Sequence, residues 1–462
     1  MHVHKSAFVA LTLFAATTTT TGCTGETALS SSENELSRAQ RRGRDVWFDN
    51  TYGGEKFFAF LAVHPDPQKR IAVAFDKVLN TPRDQRFQVW GTVNDPDCVA
   101  NPNGGADVCT DPAATGVVGL RRGVGGLIGA SCASCHAGLD PVHPPANPAE
   151  PTWDNIHPTI GNQYLKIGKM FAANLAPTDV RRLMFAGWPD GTVDTTALFN
   201  DNIMNPGVIT AFWNHKFRPT FDVGMSEPQL RNGQGGEDDV GGALAAMRVY
   251  TNIGVCFFEC VAPAVATNQP ISVDMCRAQC PSFPPESDLA DLVDFLGTIG
   301  APQYPDNDDD GDSDDDSDSE LKDRGKQVFT ANCASCHDNQ GKRKHALTDD
   351  EVNPLVADPA NATNACRALA TLWDAGKLWA EFSSDTVKAR AVTGQKGYRT
   401  MPLVGIWATA PFLHNQSIGA WAPADATPEV RAAYYEDAMW ELMQPARAPK
   451  VNRLPFPVGP FP

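Results

Sequence analysis

Two short segments constrain this chain more than any other feature: Cys132-Ala-Ser-Cys135-His136 and Cys333-Ala-Ser-Cys336-His337. Both read C-x-x-C-H. On one helical turn that spacing presents two thiols to the two vinyl groups of a single haem, and the next imidazole reaches the iron. A Cys/His zinc site would ask for a closed four-ligand set, and a redox C-x-x-C for a βαβ setting. Neither is evident around these segments. The pattern therefore predicts two covalently bound c-type haems, attached through Cys132, Cys135, Cys333 and Cys336, with His136 and His337 as the proximal iron ligands.

Eight further cysteines complete the twelve. Cys98 and Cys109 fall in an Asn-, Asp-, Pro- and Gly-rich stretch over 94–115, which reads as a loop closed by a local disulfide. Cys256-x-x-x-Cys260 and Cys276-x-x-x-Cys280 each place two thiols on one helix face. Two antiparallel helices would bring Cys256 to Cys280 and Cys260 to Cys276. Four ligands to a metal is the alternative, but an exported chain favours disulfides. Cys366 is left as an unpaired, buried thiol.

Export is read from the start of the chain, where residues 1–6 carry one Lys and residues 7–16 form an apolar run of signal-peptide length, too short to span a bilayer. Residues 1–22 are expected to be a signal peptide and 23–36 a polar tether. Thr20-Thr21-Gly22-Cys23 resembles a bacterial lipoprotein processing site, so Cys23 is a candidate lipid anchor and the one expected membrane contact; ordinary cleavage near Ala16 or Gly22 is the alternative. The expected location is the periplasm or the outer membrane.

The 462 residues leave room for two or three domains. The division falls at the acidic run over 305–320, where ten carboxylates repel one another and cannot build a core. Those ten account for most of the net charge of −17. No cluster of Lys and Arg suited to a phosphate backbone occurs, so nucleic acid is not expected as a partner. The run opens as Asp306-x-Asp308-x-Asp310-Gly311, the start of a calcium loop, but Ser317 stands where the closing Glu would be. A Ca²⁺ site and a solvated hinge both remain open.

Helical periodicity covers 37–48, 71–78, 164–175, 179–185, 242–250 and 287–296, and strand signals are few. In 321–341, Gly325, Phe329 and Cys333 recur on one helix face, as in the first helix of a class I cytochrome c. The first motif follows Gly123, Gly125, Gly126 and Gly129, so its surroundings are expected to be looser. The fold class is mostly α: two cytochrome c-like haem domains with long loops, over 37–304 and 321–462, the first enlarged by a disulfide-stapled helical hairpin.

The segment Tyr398-Arg-Thr-Met-Pro-Leu-Val-Gly-Ile-Trp407-Ala-Thr-Ala-Pro411-Phe-Leu-His414-Asn-Gln-Ser417 resembles the C-terminal signature of dihaem enzymes related to bacterial cytochrome c peroxidase, in particular their rubber-oxygenase branch. Gly43-x-x-x-Trp47-Phe48 and the order of the two motifs fit that branch as well. The resemblance implies that the N-terminal haem, on His136, meets peroxide or O₂, and that the C-terminal haem, on His337, stores or relays electrons from a small redox partner. Gln416 departs from the family's Gly, and the chain ends soon after Met443, short of the extension found in polymer-cleaving members. Substrate identity is not carried over.

Distal groups decide between chemistries, since a sixth protein ligand favours electron transfer and an open pocket favours peroxide or O₂. For the first haem the candidate ligands are His143 and His157; Phe212 and Trp213 are candidates to wall a pocket or relay electrons, against ordinary core packing. For the second, His414 leads Met401, Met439 and Met443. Glu237, Asp238 and Asp239 form either an acid for O–O cleavage or a solvated turn. The favoured function is an exported dihaem redox enzyme of peroxidase or oxygenase type; the alternative is a pure electron-transfer cytochrome with both irons six-coordinate.

Overall fold

Ser37 starts the first helix. In the computed structural model its hydroxyl accepts from the Gln40 N–H at 3.2 Å, while the Gln40 side chain accepts from the Ser37 N–H at 2.7 Å. This reciprocal cap satisfies two of the donors a helix N-terminus leaves open. Helix α1 (Arg38–Asp49) then runs to Asn50 and buries Gly43, Trp47 and Phe48. The structure describes residues 36–63, 70–193, 206–211, 229–230, 260, 273–280, 283–305, 316–332, 334, 346–348, 390–391, 397–399, 403–413 and 416–443.

Following α1 come α2 (Gly54–Ala62), α3 (Phe75–Asn80), α4 (Arg83–Trp90), the one-turn α5 (Ala133–His136), α6 (Ile167–Ala172) and α7 (Val180–Ala186). Then come α8 (Val273–Gln279), α9 (Glu286–Leu296), α10 (Asp316–Asn332) and α11 (Pro428–Met443). The described strands pair only two by two. The architecture is thus mostly helical.

The frame of the N-terminal half is the crossing of α1 with α9. Leu289, Leu292, Phe295 and Leu296, at helical spacing on α9, bury against Trp47 and Phe48, and Ala133, Ala137 and Leu139 around the first motif join the same cluster. At the crossing a Cβ on Gly43 would overlap the Asp291 backbone carbonyl, so the helices meet backbone to backbone. Arg42 closes the contact with two parallel bonds to the Asp291 carboxylate, at 2.6 and 2.8 Å. A second cluster lies beside it, built by Val78, Trp90, Phe171, Phe185 and Trp188.

The 94–115 loop is closed by the Cys98–Cys109 disulfide, which joins β1 (Cys98–Val99) to β2 (Val108–Cys109). It is pinned from within by Arg86, fully buried, whose guanidinium reaches the Asn94 side chain, the Gly116 carbonyl and both Asp107 oxygens within 3.0 Å. A charge so deep is tolerated because its partners are charged or strongly polar.

Several expected boundaries move. The helix expected over 71–78 starts at Phe75, because the backbone before it is drawn to α6: the Ala74 N–H donates to the Met170 carbonyl at 3.2 Å. The one expected over 164–175 contracts to α6, since Lys166 stays out of the helix and bonds the Trp90 carbonyl. Helix α10 begins at Asp316, inside the acidic run. Cys260 and Cys276 are bridged as the spacing predicts, and Cys280 is also disulfide-bonded. Cys256, the first helix of the hairpin and the helix expected over 242–250 lie outside the described residues.

Candidate functional site

The first motif occupies the single turn α5, closed by the His136 N–H on the Cys132 carbonyl at 3.1 Å. Cys132 and Cys135 are unbridged thiols, whereas Cys98, Cys109, Cys260, Cys276 and Cys280 are all in disulfides. Burial pushes the Cys132 thiol up to about 12 and raises that of Cys135. Thiols held protonated in this way are poor redox nucleophiles. Among the described residues no group of three or more His, Cys, Asp or Glu is placed to hold a metal ion by itself.

His136 is fixed through one ring nitrogen. Its Nδ1–H donates to the Thr210 carbonyl at 2.9 Å, which puts the ring's lone pair on Nε2. Burial pushes its pKa down to about 4, against the opposing pull of the Thr210 carbonyl, so the ring is neutral at pH 7 and ready to ligate. The Trp47 ring lies 5.6 Å from it, centroid to centroid, and the indole N–H donates to the Pro158 carbonyl at 2.8 Å.

The turn after His157 closes the motif from the other side. The Gly161 N–H donates to the His136 carbonyl at 2.8 Å and the Asn162 N–H to the Cys135 carbonyl at 2.9 Å, so the carbonyls at the end of α5 are satisfied across space. Gly161 has φ +77°, and a Cβ there would overlap the Ile209 carbonyl. Trp47, Thr210 and this turn were not among the residues expected at the site. Thr210 and Gly161 act through backbone groups, which residue identity does not encode.

The C-terminal signature packs on this same turn. A short 3₁₀ helix (Ile406–Thr409) places Trp407 and Ala408 against Ile160. The Trp421 indole donates to the Gln163 carbonyl at 3.0 Å, and the Tyr164 hydroxyl to the Ala422 carbonyl at 2.8 Å. Arg431, on α11, clasps Tyr164 and the Pro423 and Ala424 carbonyls. Residues 322–403 match the cytochrome c family, and residues 397–424 match the family described as RoxA-like, cytochrome c-like. In this C-terminal stretch the chain is similar to c-type cytochromes, RoxA-like ones among them. No curated protein matches it.

Within the 397–424 match, the departure at Gln416 has a physical face. Its φ is +54°, the left-handed region that favours Gly, and its buried amide has no hydrogen-bond partner at either end. The two histidines considered as distal ligands are both engaged elsewhere. His157 Nδ1 accepts from the Thr159 N–H at 3.2 Å while the ring also bonds the Gly300 backbone, and burial lowers its pKa. His143 is 70% exposed and faces Asp140 at 3.7 Å. Met439 packs against the Ala410, Phe412 and Ile418 cluster, and Met443 is exposed. Phe212, Trp213, Glu237, Asp238, Asp239, Asp306, Asp308, Asp310, Cys333, Cys336, His337, Cys366, Met401 and His414 lie outside the described residues.

The first motif fits a covalent haem on its own chemistry. Two unbridged thiols one turn apart, and a neutral imidazole held through Nδ1, are the donor set such a group requires.

Proposed function

We propose that this chain is an exported dihaem cytochrome working as a haem redox enzyme of peroxidase or oxygenase type. In this reading Cys132, Cys135 and His136 hold the reacting haem. Cys333, Cys336 and His337 hold a second that relays electrons, with His414 as its candidate sixth ligand. The haem, when bound, supplies an iron able to exchange single electrons and to activate peroxide or O₂.

The observation that carries the reading is the engagement of His157 and His143. With His157 bonded at the Thr159 N–H and the Gly300 backbone, and His143 turned to Asp140 at the surface, neither nearby imidazole is offered as a sixth ligand. Thr210 fixes the ring plane of His136 through Nδ1, and Trp47 covers its flank and keeps water from it. Phe212 and Trp213 follow Ala211 directly in the chain, two and three residues beyond Thr210, which suits them to wall the pocket or pass electrons between the haems.

The disulfides are consistent with export, and no helix among the described residues is long and apolar enough to cross a membrane. The periplasm or outer membrane as location, and Cys23 as lipid anchor, belong to the same proposal, as does a small redox protein as electron donor. A pyridine haemochrome assay tests the stoichiometry, with two haems per chain expected. EPR of the oxidised protein should show one high-spin and one low-spin iron, and CO should bind about one haem per chain after reduction, with that binding lost on changing His136. If both irons are low-spin and neither takes CO, the enzyme reading fails and the electron-transfer reading replaces it.

A further inference from the structure

The turn that holds the first motif touches a line of oxidisable rings leading outward. Trp407 is buried with Ile160, and Ala211, the neighbour of Thr210, packs on the same cluster. On its other side the Trp407 ring stands edge-on to Tyr304, 5.8 Å between centroids, and Tyr304 meets Tyr435 at 6.2 Å. Tyr304 is 39% exposed, so the line ends in water.

The hydrogen bonds along the line differ in kind. The Trp407 indole N–H donates to the Pro302 backbone carbonyl at 3.0 Å, an acceptor that is not a base. The Tyr304 hydroxyl donates to the Glu436 carboxylate at 2.8 Å, an acceptor that can take the proton. Packing needs neither arrangement, since a phenylalanine would fill the same contact with Trp407. Phe412, on the far side of Tyr435, is not readily oxidised, which leaves Tyr304 as the outlet.

We propose that Trp407, Tyr304 and Glu436 form a path that carries oxidising equivalents from the first haem site to the surface, making Tyr304 a one-electron oxidation site for small reductants. The inference rests on the redox-enzyme reading, with peroxide as the oxidant. Trp407 gives one electron to the oxidised site and keeps its proton on the Pro302 carbonyl. Tyr304 then gives one electron to Trp407 and its hydroxyl proton to Glu436. The surface phenoxyl is restored by one electron from a phenol- or ascorbate-type donor, with the proton returning from Glu436. When no substrate is present, this route also moves damage away from the buried motif.

The test treats the full-length, haem-loaded protein with hydrogen peroxide and a nitroxide-forming spin trap, followed by peptide mapping and freeze-quench EPR. Wild type should show a tyrosyl signal and a trap adduct on Tyr304. Tyr304→Phe, a surface change that should leave folding intact, should abolish that adduct and shift oxidation to peptides around Trp47 and the first motif, with the first spectral response of the haem to peroxide unchanged. Trp407→Phe and Glu436→Gln should each reduce the Tyr304 adduct to background. If the haem responds to peroxide but the adducts form elsewhere, or persist in Trp407→Phe, the path is wrong and the enzyme reading stands. If the haem does not respond to peroxide at all, the path falls, and CO binding and the resting EPR spectrum decide the enzyme reading separately.

Discussion

Helices α1 and α10 carry the same local pattern, Arg42-Gly43-x-x-Val46-Trp47 and Arg324-Gly325-x-x-Val328-Phe329, yet the structure uses them differently. On α1 the glycine is where α9 crosses, and a side chain there would strike the Asp291 carbonyl. On α10 nothing among the described residues lies within 4 Å of the place a Gly325 Cβ would take, and Val328 is exposed. The pattern alone therefore specifies a helix with a small residue one turn before an aromatic one. It becomes a crossing only where a second helix supplies a backbone to meet it. The first motif sits beside that crossing, whereas the second lies outside the described residues, so the expected contrast between them is not tested.

The largest expected effect comes from breaking that crossing. Gly43→Ala forces α1 and α9 apart and should cost ~3 kcal/mol or more, read as a lower urea midpoint in the unfolding curve followed by circular dichroism. A loss under ~1 kcal/mol would show that the helices do not meet at Gly43. Trp47→Leu should cost about 2–4 kcal/mol, since it opens space in the core and leaves the Pro158 carbonyl without its donor. It should also shift the EPR signal of the His136-bound iron, whereas the matching Phe329→Leu on α10 should cost under about 1 kcal/mol.

Gln416 inverts the logic of Gly43, being a side chain where the backbone favours none. Gln416→Gly relieves the left-handed φ and removes two buried amide atoms that lack partners, so a gain of about 1–2 kcal/mol is expected by thermal or urea unfolding. A loss instead would mean that the amide serves a bound group. The smallest effect is on α10, where Gly325→Ala meets no obstacle among the described residues and should stabilise by ~0.5–1 kcal/mol through helix propensity alone. If it destabilises as Gly43→Ala does, the contrast between the two helices disappears.

What was legible in the sequence was whatever side-chain identity carries. The periodic apolar positions of α1 and α9, the Ser37 start, the Cys98–Cys109 and Cys260–Cys276 bridges and the C-x-x-C-H turn all follow from residue type and spacing. The partner of His136 did not, because a backbone carbonyl at Thr210 looks the same whatever residue bears it. His157 looked like a ligand in waiting for the same reason, since its engagement with the Thr159 and Gly300 backbones has no sequence signature. The docking of Trp407, Trp421 and Arg431 on the 160–164 turn joins positions more than 240 residues apart, beyond the reach of any local pattern.

That last contact has a consequence in time. The surroundings of the first motif draw on α9 and on Trp407, Trp421 and Arg431, so they cannot be completed until nearly the whole chain has emerged. Until those segments dock, Cys132 and Cys135 stay uncovered by them. An unfinished N-terminal half is a disadvantage for folding but an opening for chemistry, because thioether bonds can form only while the thiols are still within reach of a haem-attaching machinery. The late arrival of the C-terminal clasp sets the end of that interval, and closing it seals the first site around whatever has been attached.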